Sequence, residues 1–397
     1  MNLHKLSHIH APKSFLNNAD IIFYMQGKSE IKKRISRLQK ELRRNGIGIA
    51  IISSLSNPEP NCLYYSGRDI EPSLIFIPKK GNSKIFVSKM EYARAKRFLS
   101  GFMVEMLKKP VFETIGKHIR KHKAETIGIN MNIVSVSEYK MLKKAAKRKK
   151  FTDIGGLLQK QRAIKSAFEI KQIKKACKIS DEIFKKVFLS FGSFRTEEDV
   201  RMFMAREAKE KGCEPAFEPL VASGTNSGYV HYLGDNVKLK KGFCFIDFGV
   251  KYRGYNSDTT RVVYIAEKGK EKKPKNPTYE ETGLYLLLKK AQKEAVSMVR
   301  PEARCSDIDR HVRNVLGKYK ENFTHNLGHG VGIQIHEQPN LHELSQDVLK
   351  PGMVLTIEPG IYFPGKFGIR IEDTVLVTKS GRRVLTNINR DLLLIRR

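Results

Sequence analysis

The feature that most narrows what this chain can fold into is a set of acidic residues set into apolar strand sequence. Cys244-Phe245-Ile246-Asp247-Phe248-Gly249 reads as an apolar strand ending in a carboxylate. The segments Thr356-Ile357-Glu358-Pro359-Gly360 and Gly368-Ile369-Arg370-Ile371-Glu372-Asp373-Thr374 read together as strand, turn, strand, with Glu358 and Glu372 in the same kind of context. Asp and Glu are seldom fully buried unless they are paired or bound to a metal. Asp258, in Tyr255-Asn256-Ser257-Asp258-Thr259-Thr260-Arg261, lies 11 residues after Asp247. A two-stranded turn between them returns the chain and brings both carboxylates to one side of a sheet.

Several carboxylates pointing into one cavity repel each other and raise their own pKa values unless cations neutralise them. Two divalent ions resolve that conflict. Four carboxylates and one imidazole, His329, form a set able to hold two metals through shared ligands. Such oxygen-rich ligation suits manganese, cobalt or ferrous iron better than a thiolate-selective zinc site. His329 lies in His325-Asn326-Leu327-Gly328-His329-Gly330-Val331-Gly332, followed by His336-Glu337. The glycine run from Gly328 also resembles a nucleotide-binding loop, but it lacks the preceding apolar strand and the downstream ribose-binding acid.

The chain has 397 residues, enough for two domains. Residues ~30–150 alternate helical and strand patterns, the mark of an α/β layer domain. Strand-like runs fall at Gly48–Ile52, Leu74–Ile77, Lys84–Val87 and Thr126–Ile129, with helical patterns at Tyr92–Leu99, Glu113–Lys121 and Ser137–Lys147. The basic cluster Lys143–Lys150 closes this region, so the domains are expected at 1–152 and 153–397. Beyond it a long amphipathic helix spans about Phe168–Phe191, and Thr196 caps another that opens on acids. Strands are expected at Glu218–Ala222, Phe243–Phe248, Arg261–Ile265, Val354–Ile357 and Ile369–Val377, and helices at Tyr279–Val299 and Ser306–Leu316. The Lys/Pro-rich stretch Glu267–Pro277 reads as a surface loop.

No apolar run reaches the ~20 residues of a membrane span. The first residues have no secretory apolar core. Five scattered cysteines without a CxxC pair fit free thiols in a reducing compartment, so a cytoplasmic location is expected. The net charge is +33, and residues 1–150 hold 31 Lys/Arg against 11 Asp/Glu. That excess favours contact with polyanions, but no zinc finger or recognition helix accompanies it, and a solvated lysine-rich surface is the preferred account. His4, His8 and His10 read as a tail, and His118 and His122, four apart on one helix face, as surface residues.

With these motifs assembled, the sequence resembles the pita-bread metallopeptidases, which include Xaa-Pro aminopeptidases, Xaa-Pro dipeptidases (prolidases) and methionine aminopeptidases. The resemblance is dense from about Phe151 onward. It implies a creatinase/prolidase-like α/β N-terminal domain followed by an α+β pita-bread catalytic domain. It also implies that Asp247 binds one metal, His329 and Glu358 bind the other, and Asp258 and Glu372 bridge the two. The cofactor would be two divalent ions per subunit, manganese or cobalt, with iron and zinc as further options. A water or hydroxide between them would be the nucleophile, with Glu358 as general base. By the same resemblance His231 would hold the peptide carbonyl or leaving nitrogen, His336 would stabilise the oxyanion, and His325 and Arg370 would contact substrate. Arg370 could instead be an outward strand residue paired with Asp373. Asn326 and Val230 stand where relatives often have glycine and proline, which bears on pocket shape.

The expected activity is hydrolysis of the bond before proline, in dipeptides or at the N-terminus of longer peptides, by a homodimer. Two alternatives remain at this point. One is a methionine aminopeptidase sharing the metal core. The other is a non-catalytic adaptor that uses its basic surface to bind RNA or ribosomes.

Overall fold

The computed structural model describes residues 18–232, 234, 236–266 and 276–396. His4, His8 and His10, and the stretch expected to loop from Glu267 except for its last residues, lie outside the described residues. The chain divides into two compact units, Met1–Gln161 and Arg162–Arg397. The break thus falls within a helix, beyond the expected 152/153 boundary. The first part of that helix belongs to the N-terminal core: Leu158 is fully buried, and the Tyr64 and Tyr65 hydroxyls donate to Gln161.

The first unit contains α1 (Asn18–Arg44), β1 (Ile49–Ser53), α2 (Pro60–Ser66), β2 (Ser73–Pro78), β3 (Ser83–Val87), α3 (Lys89–Phe98), β4 (Phe102–Met106), α4 (Val111–Lys121), β5 (Thr126–Ile129), α5 (Val136–Ala146), β6 (Lys150–Asp153) and the start of α6 (Gly155–Ala163). Its six-stranded sheet runs β4-β3-β2-β1-β5-β6. β2 is antiparallel to both neighbours and the other pairs are parallel. Every residue of β1 and β2 is buried, as a mixed sheet covered on both faces requires. Ser88 and Ser135 cap α3 and α5 by accepting from the amides of Glu91 and Glu138. The short strand β4 and helix α2 have no clear period in the sequence.

The second unit continues with α7 (Ala167–Ser190), α8 (Glu197–Glu210), β7 (Glu214–Pro215), β8 (Leu220–Ser223), β9 (Gly242–Asp247), β10 (Val250–Tyr252), β11 (Tyr255–Asn256), β12 (Thr260–Ala266), α9 (Tyr279–Met298), α10 (Cys305–Leu316), β13 (Gly328–Gly330), β14 (Glu337–Leu341), β15 (Val354–Ile357), β16 (Gly360–Phe363), β17 (Phe367–Arg370), β18 (Asp373–Val377), β19 (Arg382–Val384) and β20 (Leu393–Arg396). Capping boxes at Ser166/Glu169, Thr196/Asp199 and Thr278/Glu281 start α7, α8 and α9. One sheet runs β20-β12-β9-β8 and another β14-β13-β15-β18-β19, with β16-β17 a separate hairpin. The helices cover these sheets with two apolar clusters, one around Phe245, Leu288 and Ile357, the other around Phe184, Phe191 and Phe248.

The expected single strand Ile369–Val377 is in fact two strands in different sheets. β17 ends at Arg370, β18 begins at Asp373, and the chain crosses between them at Ile371 and Glu372. Buried apolar residues recur at 369, 371, 375 and 377 on either side of the crossing, a strand-like spacing that hides the break.

Candidate metal centre and active site

Each acid of interest sits where a strand ends. β9 and β12 pair antiparallel with Asp247 opposite Thr260, and the small β10–β11 hairpin returns the chain so that Asp258 lies just before β12. Glu358 follows β15, and Glu372 occupies the crossing between β17 and β18. His329 is the centre of β13, beside β15. Its backbone amide donates to Thr356 Oγ1 at 3.0 Å, and the amide of Glu358 donates to the carbonyl of Leu327 at 2.9 Å. Glycines at 328 and 330 permit this approach, since a Cβ at either would sit 2.1–2.2 Å from a backbone oxygen of the neighbouring strand.

One ligand atom from each of Asp258, His329 and Glu372 lies within 4.8 Å of the others. His329 Nε2 is 3.2 Å from Glu358 Oε1 and 3.5 Å from Asp258 Oδ2. Thr260 Oγ1 donates to Glu372 Oε2 at 2.8 Å, leaving Glu372 Oε1 buried with no hydrogen-bond partner. Asp247 is arranged the same way. Arg370 Nη2 donates to its Oδ2 at 2.6 Å, while Oδ1 is buried and unpartnered. Orphaned buried carboxylate oxygens cost free energy, and divalent cations satisfy them.

The electrostatics agree with that geometry. Burial, reinforced by the carboxylate of Asp247, pushes Asp258 well above the usual carboxylate range. Burial and the charges of Asp258, Glu358 and Asp247 do the same to Glu372. Burial also raises Asp247, against the opposing pull of Arg370. Glu358 is the exception: burial acts upward, but the hydrogen bond from His329 holds it low. His329 is correspondingly raised, the Glu358 and Asp258 carboxylates outweighing its burial. The cluster is therefore short of positive charge.

The other predicted residues surround this cluster. The His336 ring stands edge-on to His329 with centroids 4.3 Å apart. His325 Nε2 lies 3.0 Å from the Tyr362 hydroxyl, and burial pushes the imidazole down to about 4, so it is neutral at physiological pH. His231 is exposed in a turn, near enough that its charge lowers both His325 and His336.

Arg370 is not the outward, Asp373-paired residue considered as one reading. It is buried, bonds Asp247, Tyr362 and Thr260, and stacks 4.6 Å over the Phe245 ring. Asp373 instead pairs with Arg261 and Arg390 and accepts from Gln292 and Thr386. Sequence reasoning missed Thr260, Tyr362 and Arg261. Arg261 is fully buried and donates to the carbonyls of Glu372, Ile388 and Asn389. The signal was present: a charged residue opens the apolar run Arg261–Ile265, directly after the Asp258 motif. His118 and His122 belong to the first unit, where His118 lies 3.2 Å from Glu105.

Comparison with known proteins places this geometry in context. Residues 171–379 match metallopeptidase family M24, and residues 34–164 match the Creatinase/Prolidase N-terminal domain. The Xaa-Pro dipeptidase of Pyrococcus horikoshii is 32% identical over 367 residues, which is 91% of this chain and 99% of that protein. Among solved structures, an Xaa-Pro dipeptidase from Bacillus anthracis superposes with a TM-score of 0.84 at 28% identity, over 92% of this chain and 100% of that one. An X-Pro aminopeptidase from Thermotoga maritima gives 0.80 at 28% identity, over 88% and 98%. The fold is thus a creatinase/prolidase-type N-terminal domain followed by a pita-bread catalytic domain. With its cluster of acids around one imidazole and these matches along most of its length, the chain belongs to metallopeptidase family M24.

Proposed function

We propose that the protein hydrolyses Xaa-Pro peptide bonds with the aid of two divalent metal ions. The observation that carries this reading is the convergence of Asp258, His329 and Glu372 within 4.8 Å while Glu372 keeps a buried oxygen without a partner. Asp247, Asp258, His329, Glu358 and Glu372 would hold the pair, manganese or cobalt by donor chemistry. When bound, such ions lower the pKa of a water toward ~7 and polarise the scissile carbonyl. The chain's own groups do the rest. Glu358, fixed beside His329, accepts the proton released by the attacking water. His336 and His231 face the developing oxyanion and the leaving nitrogen. His325, neutral, donates its Nδ1–H to the Asn326 carbonyl and accepts from the Tyr362 hydroxyl at Nε2, which fixes its ring without adding a charge.

Proline supports the substrate assignment because its nitrogen carries no N–H for an ordinary peptidase to grip. The relatives named above include both a dipeptidase and an aminopeptidase, so the reading covers dipeptides and the N-termini of longer peptides. The Creatinase/Prolidase N-terminal match favours it over a methionine aminopeptidase. We further read the protein as a cytoplasmic homodimer. None of the described helices is long and apolar enough to cross a membrane, and the five cysteines are free and buried. The basic surface is read as solvated rather than as a nucleic-acid site.

The test is hydrolysis of Xaa-Pro, Xaa-Pro-Yaa and Met-Ala-Ser peptides after loading with Mn(II) or Co(II). Cleavage confined to the proline substrates is expected. No turnover by folded, metal-loaded protein would overturn the proposal, and cleavage of Met-Ala-Ser alone would favour the methionine aminopeptidase. Salt-sensitive RNA binding that survives Asp258→Ala, without turnover, would favour the adaptor.

A further inference from the structure

The sequence pair His336-Glu337 carries a second role. Glu337 turns inward at the start of β14, where it meets two cations from a distant part of the chain. Lys165 Nζ lies 2.9 Å from Glu337 Oε1, and Arg162 Nε lies 3.5 Å from Oε2. All three side chains are almost fully buried, at 1% (Lys165), 4% (Arg162) and 2% (Glu337) exposure. Arg162 also donates to the side chain of Gln334 in the same loop. A Cβ on Gly332 would lie 2.0 Å from Glu337 Oε1, so the glycine is what leaves room for the carboxylate. On the other side Asn256 holds the loop twice: its amide donates to the Gly332 carbonyl and its Nδ2 to that of Ile333.

Three buried charges, with Arg162 Nη1 left without a partner, are a costly way to fasten a loop when apolar packing of similar volume serves stability as well or better. What the ion cluster adds is direction. His336 is the last residue of the 332–336 bend and Glu337 the first of β14, so pinning the Glu337 side chain inside fixes the backbone from which the His336 ring meets His329, centroids 4.3 Å apart. Resting on the proposed hydrolysis, we infer that Arg162 and Lys165 are positioning residues: they clamp Glu337 and thereby aim the His336 ring at the metal centre.

The test compares Lys165→Met, Arg162→Met and the conservative Lys165→Arg in the Mn(II)-loaded full chain. The clamp predicts that K165M and R162M lower kcat on the order of 10–100-fold, as small misplacements of a catalytic group do. KM should stay within about threefold, as expected for a contact made mainly in the transition state. Bound metal should be unchanged, and K165R should recover most of the rate. In a His336→Ala background K165M should cost nothing further, since both changes remove the same interaction. Ring-labelled histidine spectra should show the His336 resonances moving in K165M. Additive losses in the double variant, or His336 resonances that stay in place, would overturn the clamp. If the wild type cleaves no Xaa-Pro bond, the functional reading falls, and the histidine spectra still decide the clamp. Should K165M fail to fold, Glu337→Gln supplies the same readouts.

Discussion

Arg370 Nη2 and Asp247 Oδ2 form a buried ion pair at 2.6 Å, and the other oxygen of Asp247 has no partner. The guanidinium therefore fixes which oxygen remains for a cation. It also opposes the burial that would otherwise neutralise Asp247.

Replacing Arg370 with Met should weaken metal binding and kcat/KM by about 10–100-fold, the range typical when a partner that orients a metal ligand is lost. It should also destabilise the fold by about 3–5 kcal/mol, because an uncompensated charge is left buried. Metal titration and thermal unfolding measure the two effects separately. Full metal affinity in R370M would mean Asp247 needs no such anchor.

Asp258→Asn and Glu372→Gln should abolish metal binding and peptidase activity but spare the metal-free fold. Both carboxyls are raised in the folded state by burial and by their neighbours. A raised acid contributes stability below its unfolded pKa and loses it as pH rises toward the folded value. Metal-free wild type should therefore lose stability from about pH 4 upward on account of these two groups, starting at the unfolded carboxylate value. Each neutral variant should lose its own share of that slope, and the double variant all of it. Unfolding midpoints of chelator-treated proteins across pH would show it.

Asp181, in α7, offers a test away from the centre. Burial raises its carboxyl to about 6, partly offset by the Asn387 amide that donates to Oδ2 at 2.8 Å, and Oδ1 has no partner. Its ionised form is thus disfavoured in the fold, a penalty that grows as pH rises from the unfolded value toward about 6 and is complete above it. Asp181→Asn should stabilise the protein by on the order of 1–3 kcal/mol near pH 8, with the advantage vanishing below about pH 4. An advantage independent of pH would show that packing, not ionisation, is responsible.

All five cysteines are buried and free, and burial pushes Cys62 and Cys305 up to about 12. Only thiolates react readily. A thiol reagent near pH 8 should label none of the five in the native protein and all of them in denaturant, and reducing agent should not move the unfolding midpoint. Rapid native labelling would contradict the packing around them.

How much of this was legible in the sequence varied with the range of the interaction. The carboxylates stood out because an acid at the end of an apolar strand needs a local explanation, and the return from Asp247 to Asp258 is a short hairpin. Arg370 was singled out, but what it binds was not legible. Its partner lies 123 positions earlier, while Asp373 offered a nearby decoy. Glu337 was visible only as the companion of His336, because its cations lie 172 and 175 positions away. The crossing at Glu372 was hidden because Ile369, Ile371, Val375 and Val377 are all buried, which gives a buried two-strand path the look of one strand.

Arg261 has a consequence for how the enzyme comes into being. Its buried guanidinium is satisfied by the carbonyls of Glu372, Ile388 and Asn389, acceptors 111–128 positions further along the chain. On the ribosome, β9 and β12 can meet long before those acceptors exist. Until Ile388 and Asn389 emerge, Arg261 lacks two of its acceptors, and the crossing that carries Glu372 is held by Thr260 and only part of the Arg261 network. The site is therefore completed only when the last residues of the chain that hold Arg261 are in place.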